Sequence, residues 1–201
     1  MPSVISALRY HAESQPMHCA IQHGRQSLSY AGLHAAVATA AAQLQDAAGS
    51  TIALAIGQGP AWAIADLAAL ASGMPCVPLP PFFTNAQQVH ALRDAGVTLL
   101  LTDRPDFYAA LLLQQAIPAT RGDDIKLSGT GIAQFRLSLA PGQLPPGTAK
   151  VTYTSGTTGS PKGVCLSTAA MENVARALAA ATGMTPADRH ACLLPLATLL
   201  E

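Results

Sequence analysis

Short apolar runs alternate with helix-forming segments through the middle of the chain. Apolar runs at 51–56 and 97–102 predict buried strands, and the Pro-rich run 76–81 is predicted to be extended because it cannot be helical. The segments between and after these runs predict helices at 61–72, 86–95 and 107–115. Strands and helices that alternate at this length favour an α/β fold with a mostly parallel sheet covered by helices.

The two ends of the chain add further elements to this pattern. Outside the middle, the sequence predicts a helix at 4–14, a strand at 19–22, a helix at 31–44, a strand at 151–153 and a helix at 168–182. Residues 122–146 predict a loose segment with one strand at 134–139. Asn85 and Thr168 are the expected N-caps of their helices, and Gly183 is the expected stop of the last one.

Composition and charge narrow the class of protein. Of the 201 residues, 50% are hydrophobic and only 11% are charged, which argues against a disordered chain. Eleven basic and eleven acidic residues give no net charge, so a general nucleic-acid binder is not expected. Neither a signal peptide nor a transmembrane run is expected, and a cytoplasmic protein is the default prediction.

One polar stretch interrupts the apolar pattern, and it carries the candidate chemistry. Residues 151–164 read VTYTSGTTGSPKGV, so a short strand runs directly into a loop of glycines, hydroxyls and one lysine. Ligands of open α/β sheets bind outside the carboxyl ends of the strands. Backbone amides beside glycine, small hydroxyls and a lysine ammonium together suit phosphate oxygens. A phosphate-binding loop is therefore predicted.

Two other nucleotide-binding signatures are not matched by the chain, and a linker is a further alternative for this stretch. A Walker loop needs glycine before its lysine and Ser or Thr after it, whereas Pro161 and Gly163 hold those places. A dinucleotide fingerprint beginning at Gly57 fails because Trp62 occupies its third glycine position. A flexible surface linker is the simplest alternative, but the strand context, the lysine and the density of hydroxyls count against it.

The loop also resembles a known family. Residues 153–163 match the phosphate-loop signature of the adenylate-forming superfamily, which includes acyl-CoA synthetases, nonribosomal-peptide adenylation domains and luciferases. Weaker matches occur in the family's order at 27–33 and 67–79. The stretch 194–200 resembles the start of one wall of the acyl pocket, although the usual His or aromatic residue is not evident there.

The resemblance implies a function for the parent enzyme. Such an enzyme uses ATP and Mg²⁺ to convert a carboxylic acid into an acyl-adenylate and pyrophosphate. The acyl group then passes to a thiol, either coenzyme A or the pantetheine of a carrier protein. The residues carried over as phosphate-binding are Thr154, Ser155, Gly156, Thr157, Thr158, Gly159 and Lys162. No catalytic residue and no metal ligand is carried over.

The resemblance also predicts how much of a family member this chain covers. Family members are usually more than twice as long, and the later segments for adenine, ribose and the reacting carboxylate are not found in these residues. The chain is therefore expected to be the N-terminal part of an AMP-binding domain and to be inactive alone. The expected regions are a helical and hairpin segment (1–50), an α/β subdomain (51–140), and the loop with the start of the acyl-pocket subdomain (141–201). A noncatalytic ATP-binding relative is the alternative from another class.

A few side chains outside the loop invite other hypotheses. The four cysteines form no CxxC pair, and Cys165 is predicted to be a buried structural thiol. His190 and Cys192 share one strand face but lack further ligands nearby in sequence, so a structural role is favoured over a metal site. Trp62 is predicted to pack within the core, and Asp66 is compatible with either a buried polar contact or an exposed position.

Overall fold

A computed structural model describes residues 3–154 and 161–197. Helices cover both faces of one sheet, and a small hairpin lies beside it. The elements in chain order are α1 (Val4–Ser14), β1 (Cys19–His23), β2 (Gln26–Ser29), α2 (Tyr30–Gln43), β3 (Ile52–Ala55), α3 (Pro60–Ala71), β4 (Cys76–Pro78), α4 (Asn85–Asp94), β5 (Leu99–Thr102), α5 (Pro105–Gln114), β6 (Ala119–Arg121), β7 (Ile125–Leu127), β8 (Thr130–Leu137), β9 (Thr148–Thr154), β10 (Lys162–Ser167) and α6 (Thr168–Thr182).

The predicted α/β class is confirmed, and the sheet is mixed. Its strand order is β10-β9-β4-β3-β5-β8-β6, with β7 paired to β8 off this path. The four central strands β9, β4, β3 and β5 are parallel. The pairs on either side of this centre, β10 with β9 and β8 with β5, are antiparallel. The parallel arrangement predicted from the alternating runs therefore describes the centre of the sheet.

Each face of the sheet carries its own hydrophobic core. Side chains alternate along β3, so Ile52 and Leu54 pack with the layer of α1, α2 and α3. Ala53 and Ala55 point the other way and pack with α4 and α5. Because both faces of β3 are covered, every residue of this strand is buried. This explains why the strand is a continuous apolar run in the sequence.

The predicted middle elements are confirmed with ends shifted by a few residues, whereas 119–137 differs from its prediction. This stretch forms three strands, β6, β7 and β8, rather than a loose segment with one strand at 134–139. Ser128 and Gly129 form the two-residue turn between β7 and β8, with φ of 50° and 81°. Two successive positive φ values are typical of the tight turns that match strand twist. The Ser-Gly pair was the sequence signal for this hairpin.

Two of the expected helix caps are wrong by one residue. Thr84, rather than Asn85, caps α4, and its side chain forms a capping box with Gln87. Ser167, rather than Thr168, caps α6, and its hydroxyl accepts a hydrogen bond from the Ala170 amide. In both helices the residue with extended backbone precedes the predicted cap, and only that geometry aims a hydroxyl at the helix amides. Gly183 ends α6 in a left-handed conformation, as predicted.

The division of the chain into regions 1–50, 51–140 and 141–201 stays a prediction. Within residues 3–154 and 161–197, no helix combines the length and apolar character needed to cross a membrane.

Candidate phosphate-binding site

The predicted phosphate loop connects the two strands of the β9–β10 hairpin. Thr154 ends β9 and Lys162 begins β10, and the two residues face each other in the antiparallel ladder. Thr154 Oγ1 donates a hydrogen bond to the Lys162 carbonyl oxygen at 3.5 Å. The structure therefore brings these two predicted site residues together. Ser155, Gly156, Thr157, Thr158 and Gly159 lie outside the described residues.

The hairpin places Thr154 at the carboxyl edge of the parallel strands. β9 runs parallel to β4, so its last residue lies at the same edge as the residues that follow β3, β4 and β5. Directly opposed residues of an antiparallel pair point to one face, so the Thr154 hydroxyl and the Lys162 side chain share a face. Lys162 is exposed and forms no salt bridge with any residue in the described part of the chain. Its ammonium is therefore available to an anion.

Helix α4 supports the loop end of this hairpin. His90 Nε2 lies 2.9 Å from the Pro161 carbonyl oxygen, immediately before β10. One turn further along α4, Asp94 Oδ2 accepts a hydrogen bond of 2.6 Å from the Tyr153 hydroxyl. Sequence reasoning missed both α4 residues. The available signal was their i, i+4 spacing, which puts two polar side chains on one helix face.

Tyr153 is the buried anchor of β9. Its side chain is only 4% exposed, and burial, followed by the nearby Asp94 carboxylate, raises the pKa of Tyr153 well above its usual value. The phenol therefore remains a neutral donor at physiological pH. A Cβ at Gly163 would lie 3.2 Å from Tyr153 Cζ and 3.0 Å from Val151 Cγ1, so the glycine permits the close approach of β10.

A second crevice lies at the same edge, between the ends of β3 and β5. It encloses about 360 Å³ and includes Gly57, Gln58, Asp103 and Arg104 in its lining. The Gly57 amide donates to Asp103 Oδ2 at 2.7 Å, which ties the two strand ends together. Connections leave β3 and β5 in opposite directions across the sheet, and such points form ligand crevices in α/β folds. The polar residues directly after β5 were a sequence signal that went unused.

The comparison with known proteins is consistent with this geometry. The sequence profile of the AMP-binding enzyme family matches residues 8–201. The chain belongs to the AMP-binding enzyme family. Among solved structures, this AMP-binding chain is similar to O-succinylbenzoate coenzyme A synthetase (MenE) from Bacillus subtilis in complex with AMP. The TM-score is 0.72 at 25% identity, over 98% of this chain and 50% of that one.

Curated relatives of this AMP-binding chain include carrier-protein enzymes. It is 29% identical to tyrocidine synthase 2 of Brevibacillus parabrevis, over 89% of this chain and 5% of that protein. It is 32% identical to L-proline–[L-prolyl-carrier protein] ligase of Streptomyces coelicolor, over 75% of this chain and 32% of that protein. The AMP-binding chain thus spans about half of the MenE structure and a third or less of these two relatives.

The side chains at the loop end of the β9–β10 hairpin have the chemistry of a phosphate site. Across residues 3–154 and 161–197, no group of three or more His, Cys, Asp or Glu side chains is placed to hold a metal. Mg²⁺ in nucleotide sites takes many of its ligands from phosphate oxygens and water. The exposed ammonium of Lys162 and the hydroxyl of Thr154 instead suit the phosphates themselves.

Asp66 forms a half-buried ion pair with Lys150, so it makes a polar contact rather than simply facing water. Its Oδ2 lies 2.8 Å from Lys150 Nζ, and both side chains are less than one-fifth exposed. Lys150 Nζ also lies 5.4 Å from the centre of the Trp62 ring. Trp62 is buried in the core, as predicted. Burial, followed by the Asp66 carboxylate, raises the pKa of Cys76 well above its usual value.

The prediction of a buried thiol at Cys165 is wrong. Cys165 lies on β10 and is exposed. The apolar triplet 164–166 suggested a buried strand, but β10 is the last strand in the sheet order, so only part of its surface is covered. Cys76, in the central strand β4, is the cysteine that is buried.

Proposed function

We propose that this chain provides the triphosphate-binding part of an ATP-dependent, AMP-forming acyl-activating ligase. The observation that carries the proposal is the meeting of Thr154 and Lys162 at the carboxyl edge of the sheet, in a chain of the AMP-binding enzyme family. A MenE structure with ATP and magnesium ion shares this fold, with a TM-score of 0.70. That likeness, at 23% identity, supports the fold on which the proposed site rests.

In the proposed reaction, a carboxylate oxygen of the acid attacks the α-phosphorus of ATP. The bond from that phosphorus to the bridging oxygen of pyrophosphate breaks, so acyl-adenylate and pyrophosphate form. Lys162 would neutralise the outer phosphates while negative charge accumulates on the leaving group. Hydroxyls of Thr154, Ser155 and Thr157 would donate to phosphate oxygens, and the backbone amides of residues 156–159 would cradle them. Mg²⁺ would accompany ATP and neutralise further phosphate charge.

The acyl acceptor is proposed to be the thiol of coenzyme A. The similar MenE structures are coenzyme A synthetases, which supports an acid–thiol ligase of the acyl-CoA synthetase type. The thiol would attack the acyl carbon, and AMP would leave. The curated relatives favour a second candidate, transfer to the pantetheine of a carrier protein, because one of them is a carrier-protein ligase. Either acceptor requires the same triphosphate-binding step first.

Titration calorimetry of the 201-residue chain with Mg-ATP and Mg-pyrophosphate tests the phosphate-binding step. We expect Lys162→Ala to weaken binding by about tenfold or more, because it removes a charge-assisted contact. Lys126→Ala is the matched control, since Lys126 is an exposed lysine on β7, and its affinity should equal that of the wild-type chain. Equal affinities for wild type and Lys162→Ala would contradict the role assigned to this lysine.

Pyrophosphate exchange tests the expectation that the chain is inactive alone. We expect no exchange of labelled pyrophosphate into ATP by the 201-residue chain with any acid in a panel of aliphatic, aromatic and amino acids. The reason is that an AMP-forming reaction also needs groups that hold adenine, ribose and the reacting carboxylate. Turnover above background with one acid would contradict this expectation and would identify the substrate class.

A further inference from the structure

One face of α4 holds both strands of the β9–β10 hairpin. His90 and Asp94 are four residues apart, so their side chains project from neighbouring turns of the same helix face. His90 contacts the end of the loop at Pro161, and Asp94 contacts β9 at Tyr153. Asp94 therefore fixes the strand that enters the loop, and His90 fixes the strand that leaves it.

The chemistry of the His90 contact defines its donor. A carbonyl oxygen can only accept a hydrogen bond, so Nε2 of His90 must carry the proton. Pro161 is buried and precedes the first ladder residue of β10. A buried carbonyl without a partner is costly, and His90 provides that partner.

This hydrogen bond acts on the residue that follows Pro161. The peptide unit is planar, so holding the Pro161 carbonyl also fixes the orientation of the Lys162 amide. The Lys162 side chain itself is exposed and has no salt bridge among the described residues. The direction in which its ammonium leaves the hairpin therefore depends on its backbone.

Neighbouring contacts strengthen this arrangement. The ring of His90 meets that of Tyr153 edge to face, with centroids 6.2 Å apart, so the imidazole is supported on the side of β9. The Tyr153 hydroxyl also lies 3.4 Å from the Ala91 carbonyl oxygen on the same helix. On β10, the absence of a side chain at Gly163 lets the strand lie close to the Tyr153 ring. The residues on either side of Lys162 are thus both held in place. Pro161 is held by the hydrogen bond from α4, and Gly163 is held by packing against Tyr153.

We propose that His90 is a positioning residue for the phosphate loop. Its Nε2–H anchors the peptide before Lys162, and this anchor aims the Lys162 ammonium at the outer phosphates of ATP. The inference rests on the proposed function, since it assigns to His90 an effect that operates through Lys162. His90 itself does not touch the nucleotide.

Two substitutions at His90 test the anchor by Mg-ATP calorimetry on the 201-residue chain. His90→Leu introduces an apolar side chain of similar size and removes the donor, and we expect about three- to tenfold weaker binding. His90→Gln places an amide nitrogen at the same number of bonds from Cα as Nε2, so affinity should return to within about twofold of wild type. Equal loss in both variants would overturn the role of the hydrogen bond.

Arg93→Leu is the matched control for helix α4. Arg93 Nη2 donates to the Gln115 carbonyl oxygen at 2.8 Å, so this variant also removes a side-chain hydrogen bond from α4 to a carbonyl, but the acceptor follows α5 and is not part of the hairpin. Thermal melting should show similar losses of stability for Arg93→Leu and His90→Leu. Only His90→Leu should weaken Mg-ATP binding, and an equal loss of affinity in the control would overturn the proposal.

A double-mutant cycle separates positioning from general stabilisation. If His90 acts through Lys162, His90→Leu should cause no further loss of affinity in a Lys162→Ala background. Losses that multiply would show that His90 acts independently and would overturn the proposal. If Lys162→Ala weakens binding and His90→Leu alone does not, the proposed function stands and this inference fails. If Lys162→Ala has no effect, both fail.

Discussion

The centre of the sheet and its β9–β10 edge differ in how their residues are buried. Every residue of β3 and β5 is buried, because helices cover both faces of these strands. Along β10, exposed and half-buried residues alternate, and α6, which follows it, has no buried residue. The centre therefore supplies the stability of the fold, while the exposed edge carries the residues with candidate chemistry. A rigid scaffold that presents a polar connection is a common arrangement for binding sites.

The largest loss of folding stability is expected from a substitution in the centre of the sheet. Leu101 is fully buried in β5, and Leu101→Ala should lower the free energy of unfolding by about 2–5 kcal/mol through lost burial and a cavity. Leu113→Ala makes the same chemical change on α5, where the side chain is 83% exposed, and should have almost no effect. Urea denaturation of both variants is the measurement. Similar losses of unfolding free energy in the two variants would contradict the conclusion that the centre of the sheet supplies the stability.

An intermediate loss of folding stability is expected where β9 contacts α4. Tyr153→Phe removes the hydrogen bond to Asp94 and leaves the buried ring in place, so the free energy of unfolding should fall by about 1 kcal/mol. Urea denaturation at neutral pH measures this loss. A variant as stable as wild type would show that packing alone holds β9 against α4.

Alkaline pH should lower the free energy of unfolding through two buried tyrosines, one at the β9–β10 edge and one elsewhere in the core. Burial raises the pKa of Tyr108 to about 12, and that of Tyr153 is raised further. Both stay protonated in the folded chain, whereas an unfolded tyrosine loses its proton near pH 10. Their stabilising contribution is complete below that pH and falls as the pH rises towards 12, by about 1.4 kcal/mol per pH unit for each tyrosine.

Unfolding measured from pH 8 to 12 checks this dependence. Tyr153→Phe should reduce the downward slope above pH 10 relative to wild type, because the buried phenol proton of Tyr153 is no longer there to be lost on unfolding. An unchanged slope would contradict the assignment of a raised pKa to Tyr153.

The smallest effect is expected on the open face of α6. Val174 is 68% exposed, so Val174→Thr should change the free energy of unfolding by no more than about 0.5 kcal/mol. Val37→Thr is the comparison within a core helix, since Val37 of α2 is buried, and it should cost considerably more. Thermal melting of the two variants measures this difference in stability. A larger loss at Val174 would show that α6 packs as part of the core.

The parts of the fold that the sequence predicted are those with strong local patterns. β3 and β5 form apolar runs because they are buried on both faces, and α3 starts at Pro60, which suits a first helical position. The strands β6 and β7 are only three residues long and carry polar residues, so their periodicity is too short to distinguish them from loops. Their pairing with β8 is a tertiary interaction that local pattern does not reveal.

The candidate site likewise contains some residues that the sequence predicted and others that it did not. Thr154 and Lys162 were predicted because the loop sequence is specific to one superfamily. His90 was missed, since one polar residue on a helix has many ordinary explanations, and its partner is 71 residues away. Cys165 was assigned wrongly because an apolar triplet does not reveal whether its strand lies at the centre or at the edge of a sheet.

Amide NMR spectra of the 201-residue chain, recorded as Mg-ATP is added, test the central claim most directly. The claim is that the β9–β10 hairpin binds the triphosphate. The account predicts that the largest shifts occur at Thr154, Lys162 and Gly163, while the Ser72–Gly73 turn, which precedes β4 at the opposite edge of the parallel strands, is unchanged. Shifts that leave these three amides unaffected while other parts of the chain respond would contradict the account.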